Sequence, residues 1–143
     1  MRKFLVILAV FLLASTVYAQ SPASGVLSVH FPPNSADLRA VSTDQAIANL
    51  LAFTQIAKLL ADNPQTRVLI DGHANAVLGT ETEEMEMLRP LSQQRAEAAA
   101  SFIIEYFHID QHRLIISAAG GAYPVSTRDG SLNRRVSFTI IRN

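Results

Sequence analysis

The sequence predicts an α/β (α+β) two-layer sandwich with the element order β-α-β-α-β-β. Three observations lead there. Four short apolar segments have strand character, two long segments carry helical spacing, and breaks such as Pro32-Pro33, Asn63-Pro64 and Gly120-Gly121 separate them. A strand–helix–strand unit favours a parallel pair joined by a right-handed crossover, which lays the helices on one or both faces of the sheet.

Val26 to Phe31 alternates as a strand should, and Pro32-Pro33 ends it because proline donates no ladder hydrogen bond. Ser42-Thr43-Asp44 offers capping oxygens to a long helix whose apolar stripe is Ile47, Leu50, Leu51, Phe53, Ile56, Leu59 and Leu60. Asn63-Pro64 stops that helix. Arg67 to Asp71 reads as a short buried strand, and Gly72 follows where the chain is expected to turn sharply. The stretch from Ala74 to Pro90 interleaves Glu81, Glu83, Glu84 and Glu86 with Met85, Met87 and Leu88; one or two helical turns are predicted from about Thr82 to Leu88. Ser92 is the predicted cap of a second long helix bearing Ala96, Ala99, Ala100, Ile103, Ile104 and Phe107. The alanine-rich first half of that helix suits close packing on a sheet. Strands Arg113 to Ala119 and Arg135 to Ile141 complete the order, separated by a loop from Gly120 to Asn133. No internal repeat or low-complexity tract is present.

The N-terminus has the three parts of a secretory signal peptide: Arg2 and Lys3, the apolar run Phe4 to Ala14, and the small-x-small pattern Val17-Tyr18-Ala19. The expected organisation is a signal peptide over residues 1–19, a polar linker over 20–25 and one domain over 26–143. An uncleaved anchor is the competing reading, but the apolar core of about 11 residues is short of the roughly 20 that span a bilayer. No cysteine follows that run, so attachment as a lipoprotein is excluded, as is any disulfide framework. Without Arg2 and Lys3 the chain keeps 10 basic and 12 acidic residues, which gives no basic footprint for nucleic acid. No later stretch is long enough to cross a membrane, so the mature chain is expected to be soluble.

Catalytic patterns are thin. There is no G-x-S-x-G elbow and no thiol. Asp71 and His73 share a strand face by ordinary pleating, which does not make them a base pair. His108 and His112 have i,i+4 spacing, but Asp110 and the expected helix end near Phe107 interrupt the face, and no third metal ligand is near. Gly120-Gly121 follows a strand but precedes no helix, so it is no phosphate loop.

One ordered triple remains. Asp71-Gly72-His73-Ala74-Asn75 follows a strand, Leu91-Ser92-Gln93-Gln94-Arg95-Ala96 opens a helix, and Asn133-Arg134-Arg135-Val136 opens the last strand. Together these segments resemble the C-terminal, peptidoglycan-binding domain of the outer-membrane protein A (OmpA) family, over roughly Val26 to Ile141. The resemblance implies a non-catalytic module without cofactor or metal. Such a module binds the diamino acid of peptidoglycan stem peptides in the periplasm, linking wall and envelope, in some cases with an envelope protein partner.

In that family the arginine of LSxxRA, here Arg95, receives the ligand carboxylate; a planar guanidinium makes two parallel charge-assisted bonds to such a group. The resemblance places Arg95 in the first turn of its helix, facing an open hollow. The family's aspartate in a Gly-His-Thr-Asp turn is replaced by Asn75, and its asparagine shortly before LSxxRA by Leu88. Asn34 and the backbone around Ala74 are implied to shape the pocket, with Arg134 at its rim and Arg135 in a structural role. His73 is implied to be a packing and hydrogen-bonding residue of its turn. Two readings of the lost aspartate stay open: an insertion glutamate restores the anion, or the ligand differs. A protein-interaction module that kept the fold without the wall ligand is the alternative function.

Overall fold

The computed structural model describes residues 26–77 and 82–142. The expected signal peptide and linker lie outside the described residues, as do Glu81 and the side chains of Glu83 and Met85. Four strands, β1 (Leu27–His30), β2 (Arg67–Gly72), β3 (Leu114–Ala118) and β4 (Arg135–Ile141), form one sheet. Helices α1 (Thr43–Asp62), α2 (Thr82–Met87) and α3 (Arg89–Phe107) complete the predicted order, with the short acidic helix as an addition between β2 and α3.

The sheet order is β1-β4-β2-β3. β2 and β3 pair in parallel across α3, while β4 runs antiparallel to both β1 and β2. The last strand thus enters between the first two, and α1 links strands that are not neighbours. One face of the sheet carries Val29, Val68, Ile70, Val136 and Phe138, all buried, and α1 and α3 lie across it. Ala96, Ala99, Ala100 and Ile103 of α3 are buried there, as the small side chains predict. Phe53 of α1 stacks on Phe102 of α3 with ring centroids 4.4 Å apart, and meets Phe138 edge-on at 5.9 Å.

Ser42 caps α1 by accepting from the Gln45 N–H at 3.2 Å, and Asn63 ends it. The expected stripe on this helix is only half correct. Phe53, Ile56 and Leu60 are buried, whereas Ile47, Leu50, Leu51 and Leu59 are on the outer surface. Seven apolar residues span more arc than one sheet face can cover. Buried Asn49 takes part of the inner face instead, accepting from His30 N–H and donating to His30 C=O, both at 2.9 Å. Its amide satisfies the outward backbone groups of edge strand β1.

Two further expectations change. Ser92 does not cap α3: the helix starts at Arg89 with Pro90 in its first turn, where a missing N–H costs nothing. Ser92 is instead fully buried, donating to Arg89 C=O at 2.8 Å and accepting from Gly120 N–H at 2.9 Å. Gly72 is the last residue of β2, and the reason for a glycine is proximity more than turning. A Cβ there would lie 1.9 Å from the Ser92 carbonyl oxygen, so α3 can approach the sheet only over a bare backbone.

Candidate ligand-binding site

The ends of β1 and β2 and the start of β4 lie at the same edge of the sheet because of the antiparallel pairings. There a cavity of about 180 Å³ is lined by Pro33, Asn34, Asn75, Val77, Leu88, Leu91, Arg95 and Arg134. Segments distant in sequence are brought together: the turn after β1, the extension of β2, the second turn of α3 and the lead into β4.

Arg95 forms the floor. With α3 beginning at Arg89 it lies in the second turn, not the first. Its Nε donates to Ser35 C=O at 3.0 Å, Nη1 to His73 C=O at 2.9 Å and Nη2 to Pro32 C=O at 3.1 Å. The guanidinium carbon also stands 5.6 Å from the Phe31 ring centroid, within cation–π range. The side chain is held under the hollow, and the residue exposes 0% of its surface. This differs from the open, water-facing arginine that the motif suggests. The physical reason is the turn at Pro33-Asn34, on either side of which the Pro32 and Ser35 carbonyls accept from the guanidinium.

All three acceptors are neutral carbonyls. Among the described residues no carboxylate lies within ion-pairing distance of Arg95 or Arg134. Burial, and secondarily the positive charge of Arg134, lower the Arg95 pKa to about 10, so it remains a cation at neutral pH. The cavity therefore has a positive floor, with no counter-charge paired to it among the described residues.

Asn34 lines this cavity with a φ of 50°, a left-handed conformation that asparagine tolerates better than most residues. Arg134 is half-buried and its Nε donates to Phe31 C=O at 3.3 Å. Asn75 Oδ1 accepts from Asn133 Nδ2 at 2.9 Å. Asn133 in turn accepts from the Val125 and Ser126 N–H groups and donates to Ser126 C=O, so the NRRV asparagine anchors the loop before β4. Nothing in its local sequence signals that hub. Ala74 is buried, donates its N–H to Gly120 C=O at 2.8 Å, and is not among the lining residues.

The acidic insertion divides. Glu86 pairs with Arg89 at 2.8 Å on the outer surface, and Arg89 also donates to Ala118 C=O. Glu84 Oε1 accepts from Val77 N–H at 2.7 Å, beside the cavity wall. Arg135 and His73 face the opposite side of the sheet and do not line this cavity.

A family model, described as the OmpA family, matches residues 30–136. The chain belongs to the OmpA family. Similar solved structures include the peptidoglycan-associated lipoprotein from Burkholderia pseudomallei (23% identity, TM-score 0.62, covering 80% of this chain and 89% of that one). An outer-membrane protein from Borrelia burgdorferi B31 is 25% identical with a TM-score of 0.56, covering 80% and 85% of the two chains. The C-terminal domain of Helicobacter pylori MotB is 18% identical with a TM-score of 0.59, covering 83% and 87%. No curated protein matches the chain. These neighbours share the α/β architecture described above, and among the described residues no helix is long and apolar enough to cross a membrane.

Proposed function

We propose that this OmpA-family chain is a non-catalytic module that binds peptidoglycan in the periplasm, reached by export through residues 1–19. It would link wall and envelope by holding the diamino acid of a stem peptide. The observation that carries the reading is the Arg95 cation, held by three neutral carbonyls under a cavity that Asn34, Asn75 and Arg134 also line. A cavity of about 180 Å³ is smaller than the roughly 300–1,000 Å³ of small-molecule pockets, so it suits the end of a ligand and not a whole muropeptide.

Arg95 is the residue to receive the carboxylate, with Arg134 adding positive potential at the rim. Because Arg95 exposes no surface in this arrangement, the Pro32–Ser35 turn must yield a carbonyl as the ligand enters. Asn75 retains a lone pair on Oδ1 for an ammonium, and of the two described insertion carboxylates, Glu84 and Glu86, it is Glu84 that lies beside the cavity to supply a negative charge. Ala74 contributes through its backbone position only.

Co-sedimentation with purified sacculi tests the reading. Wild type is expected to pellet, and Arg95→Lys, which keeps the charge but loses the fork, is expected to stay in solution with an unchanged circular dichroism spectrum. A folded wild type that never pellets, whatever diamino acid the wall carries, overturns it. Asn75→Asp is expected to tighten binding about tenfold, the difference between a neutral and a charge-assisted bond. The alternative is a protein-interaction module without wall affinity. The sealed Arg95 and the apolar lining by Val77, Leu88 and Leu91 favour it, and failure to pellet would select it.

A further inference from the structure

The sheet face opposite the helices holds a second cavity, of about 600 Å³, that the wall-binding reading does not use. Directly paired residues on neighbouring strands project to the same face. The registers Ser28–Ser137 and Ser137–Asp71 therefore make one row across β1, β4 and β2. His30 and Arg135 begin the next row, which His73 completes by donating its N–H to Arg135 C=O at 2.8 Å. Tyr123, Val125 and Leu132 wall the hollow.

Three buried side-chain atoms in these rows have no hydrogen-bond partner among the described residues: Asp71 Oδ1, His73 Nδ1 and Arg135 Nη1. His73 and Arg135 are 4% and 9% exposed. An unsatisfied buried polar atom costs roughly 1–3 kcal/mol, and native structures hold few of them. Three such atoms, all on residues that line one cavity, offer an entering polar group bonds to complete.

The free valences define the complement. His73 Nε2 faces Ser137 Oγ at 3.1 Å and Asp71 Oδ2 at 3.5 Å. Both neighbours use one ring nitrogen, so this is no serine–histidine–aspartate relay, in which the two nitrogens serve different partners. Burial, reinforced by the Arg135 charge, lowers the His73 pKa to about 4, and the ring is neutral at pH 7. With a carboxylate beside Nε2 the proton belongs there, leaving Nδ1 as a bare acceptor. The orphans are thus two acceptors, Asp71 Oδ1 and His73 Nδ1, and one cationic donor, Arg135 Nη1.

We propose that this cavity binds a small α-amino acid zwitterion, its ammonium donating to Asp71 and His73 and its carboxylate accepting from Arg135. The hydroxyls of Ser28, Ser137 and Thr139 complete a polar floor, and Val125 and Leu132 offer an apolar wall to a side chain. The orphaned atoms are screened from bulk water in this arrangement, so Arg135 must swing outward to engage. Its Nη2 bond to Tyr123 C=O, at 3.2 Å, is at the long end of the range and yields easily.

The test is a titration of the purified protein followed by ¹H–¹⁵N NMR. L-alanine is expected to give saturable shifts at the amides of Ser28, Leu132 and Thr139 and at Arg135 Nε–H. Acetate, ethylamine and acetamide each carry only part of the pattern and are expected to bind at least about tenfold more weakly. Asp71→Asn should weaken L-alanine by about the same factor, whereas Asn34→Gly, at the other cavity, should leave it unchanged, which separates this site from the wall site. No saturable shift with a folded spectrum overturns the proposal. So do equal affinities across the four compounds, or shifts confined to Asn34, Asn75 and Arg134. If Asp71→Asn fails to fold, the four compounds on the wild-type protein decide.

Discussion

Arg95 and Arg135 are both buried and, among the described residues, neither has a carboxylate within ion-pairing distance, yet the two faces of the sheet treat them differently. On the helix-covered side, each guanidinium nitrogen of Arg95 has a carbonyl to donate to, and the Phe31 ring lies beneath. The charge is held without being neutralised. On the open side, Arg135 reaches Tyr123 C=O through Nη2 while, among the described residues, Nη1 has no partner and Asp71 and His73 beside it are also incompletely satisfied. The difference separates two ways of keeping a buried cation available. A group satisfied by neutral acceptors retains its field and draws an anion electrostatically, whereas a group left short of partners gains by making new bonds. The first arrangement is stable by itself; the second carries a standing cost that a ligand would relieve.

The comparison can be broken most severely at Gly72, whose neighbours Asp71 and His73 serve the open face while its own bare Cα lets α3 approach. Gly72→Ala is expected to destabilise the fold on the order of 4 kcal/mol, because the new methyl group overlaps the Ser92 carbonyl and backbone must move. Denaturant unfolding measures the loss; a cost below about 1 kcal/mol would mean that the contact is not the reason for the glycine.

A smaller effect sharpens the open side. His73 has its pKa lowered from 6.5 to about 4 by burial and by Arg135. The unfolded chain then binds a proton that the folded chain refuses, so stability is full above about pH 6.5 and falls as pH drops toward 4. The expected loss is on the order of 2 kcal/mol, and His73→Gln should remove that part of the slope in unfolding measured across this window.

The least effect is expected at the rim of the helix-covered side. Asn34 adopts φ of 50°, so Asn34→Gly should leave stability within about 1 kcal/mol of wild type. It should nevertheless weaken co-sedimentation with sacculi if the amide contacts ligand. Unchanged binding would assign Asn34 to the turn alone.

Much of this was legible in the chain itself. The order of strands and helices follows from apolar periodicity and from proline and glycine breaks, which act locally and need no tertiary partner. The boundary errors have identifiable causes. Ser92 looks like a cap because capping chemistry is local, but Pro90 is tolerated in a first turn and α3 begins earlier. The α1 stripe is wider in sequence than in the fold because periodicity says which residues could be buried together, not how much of the helix a neighbouring element covers. Motif resemblance points to Asn34, Asn75, Arg95 and Arg134, and folding brings all four to one cavity. Ala74 does not join them.

Sequence alone determined the alternation of elements, the absence of cysteine staples, and the residues whose types suit recognition of a charged end group. Tertiary structure decided which carbonyls bind Arg95, that the guanidinium lies beneath the hollow, and that Asp71, His73 and Arg135 share an open face with unsatisfied atoms. The reason is one of range. Propensity and capping act over a few residues, whereas the Arg95 bonds join positions 60 and 63 apart in the chain. Satisfaction of a buried polar atom depends on every segment around it, and only the assembled fold brings those segments within reach.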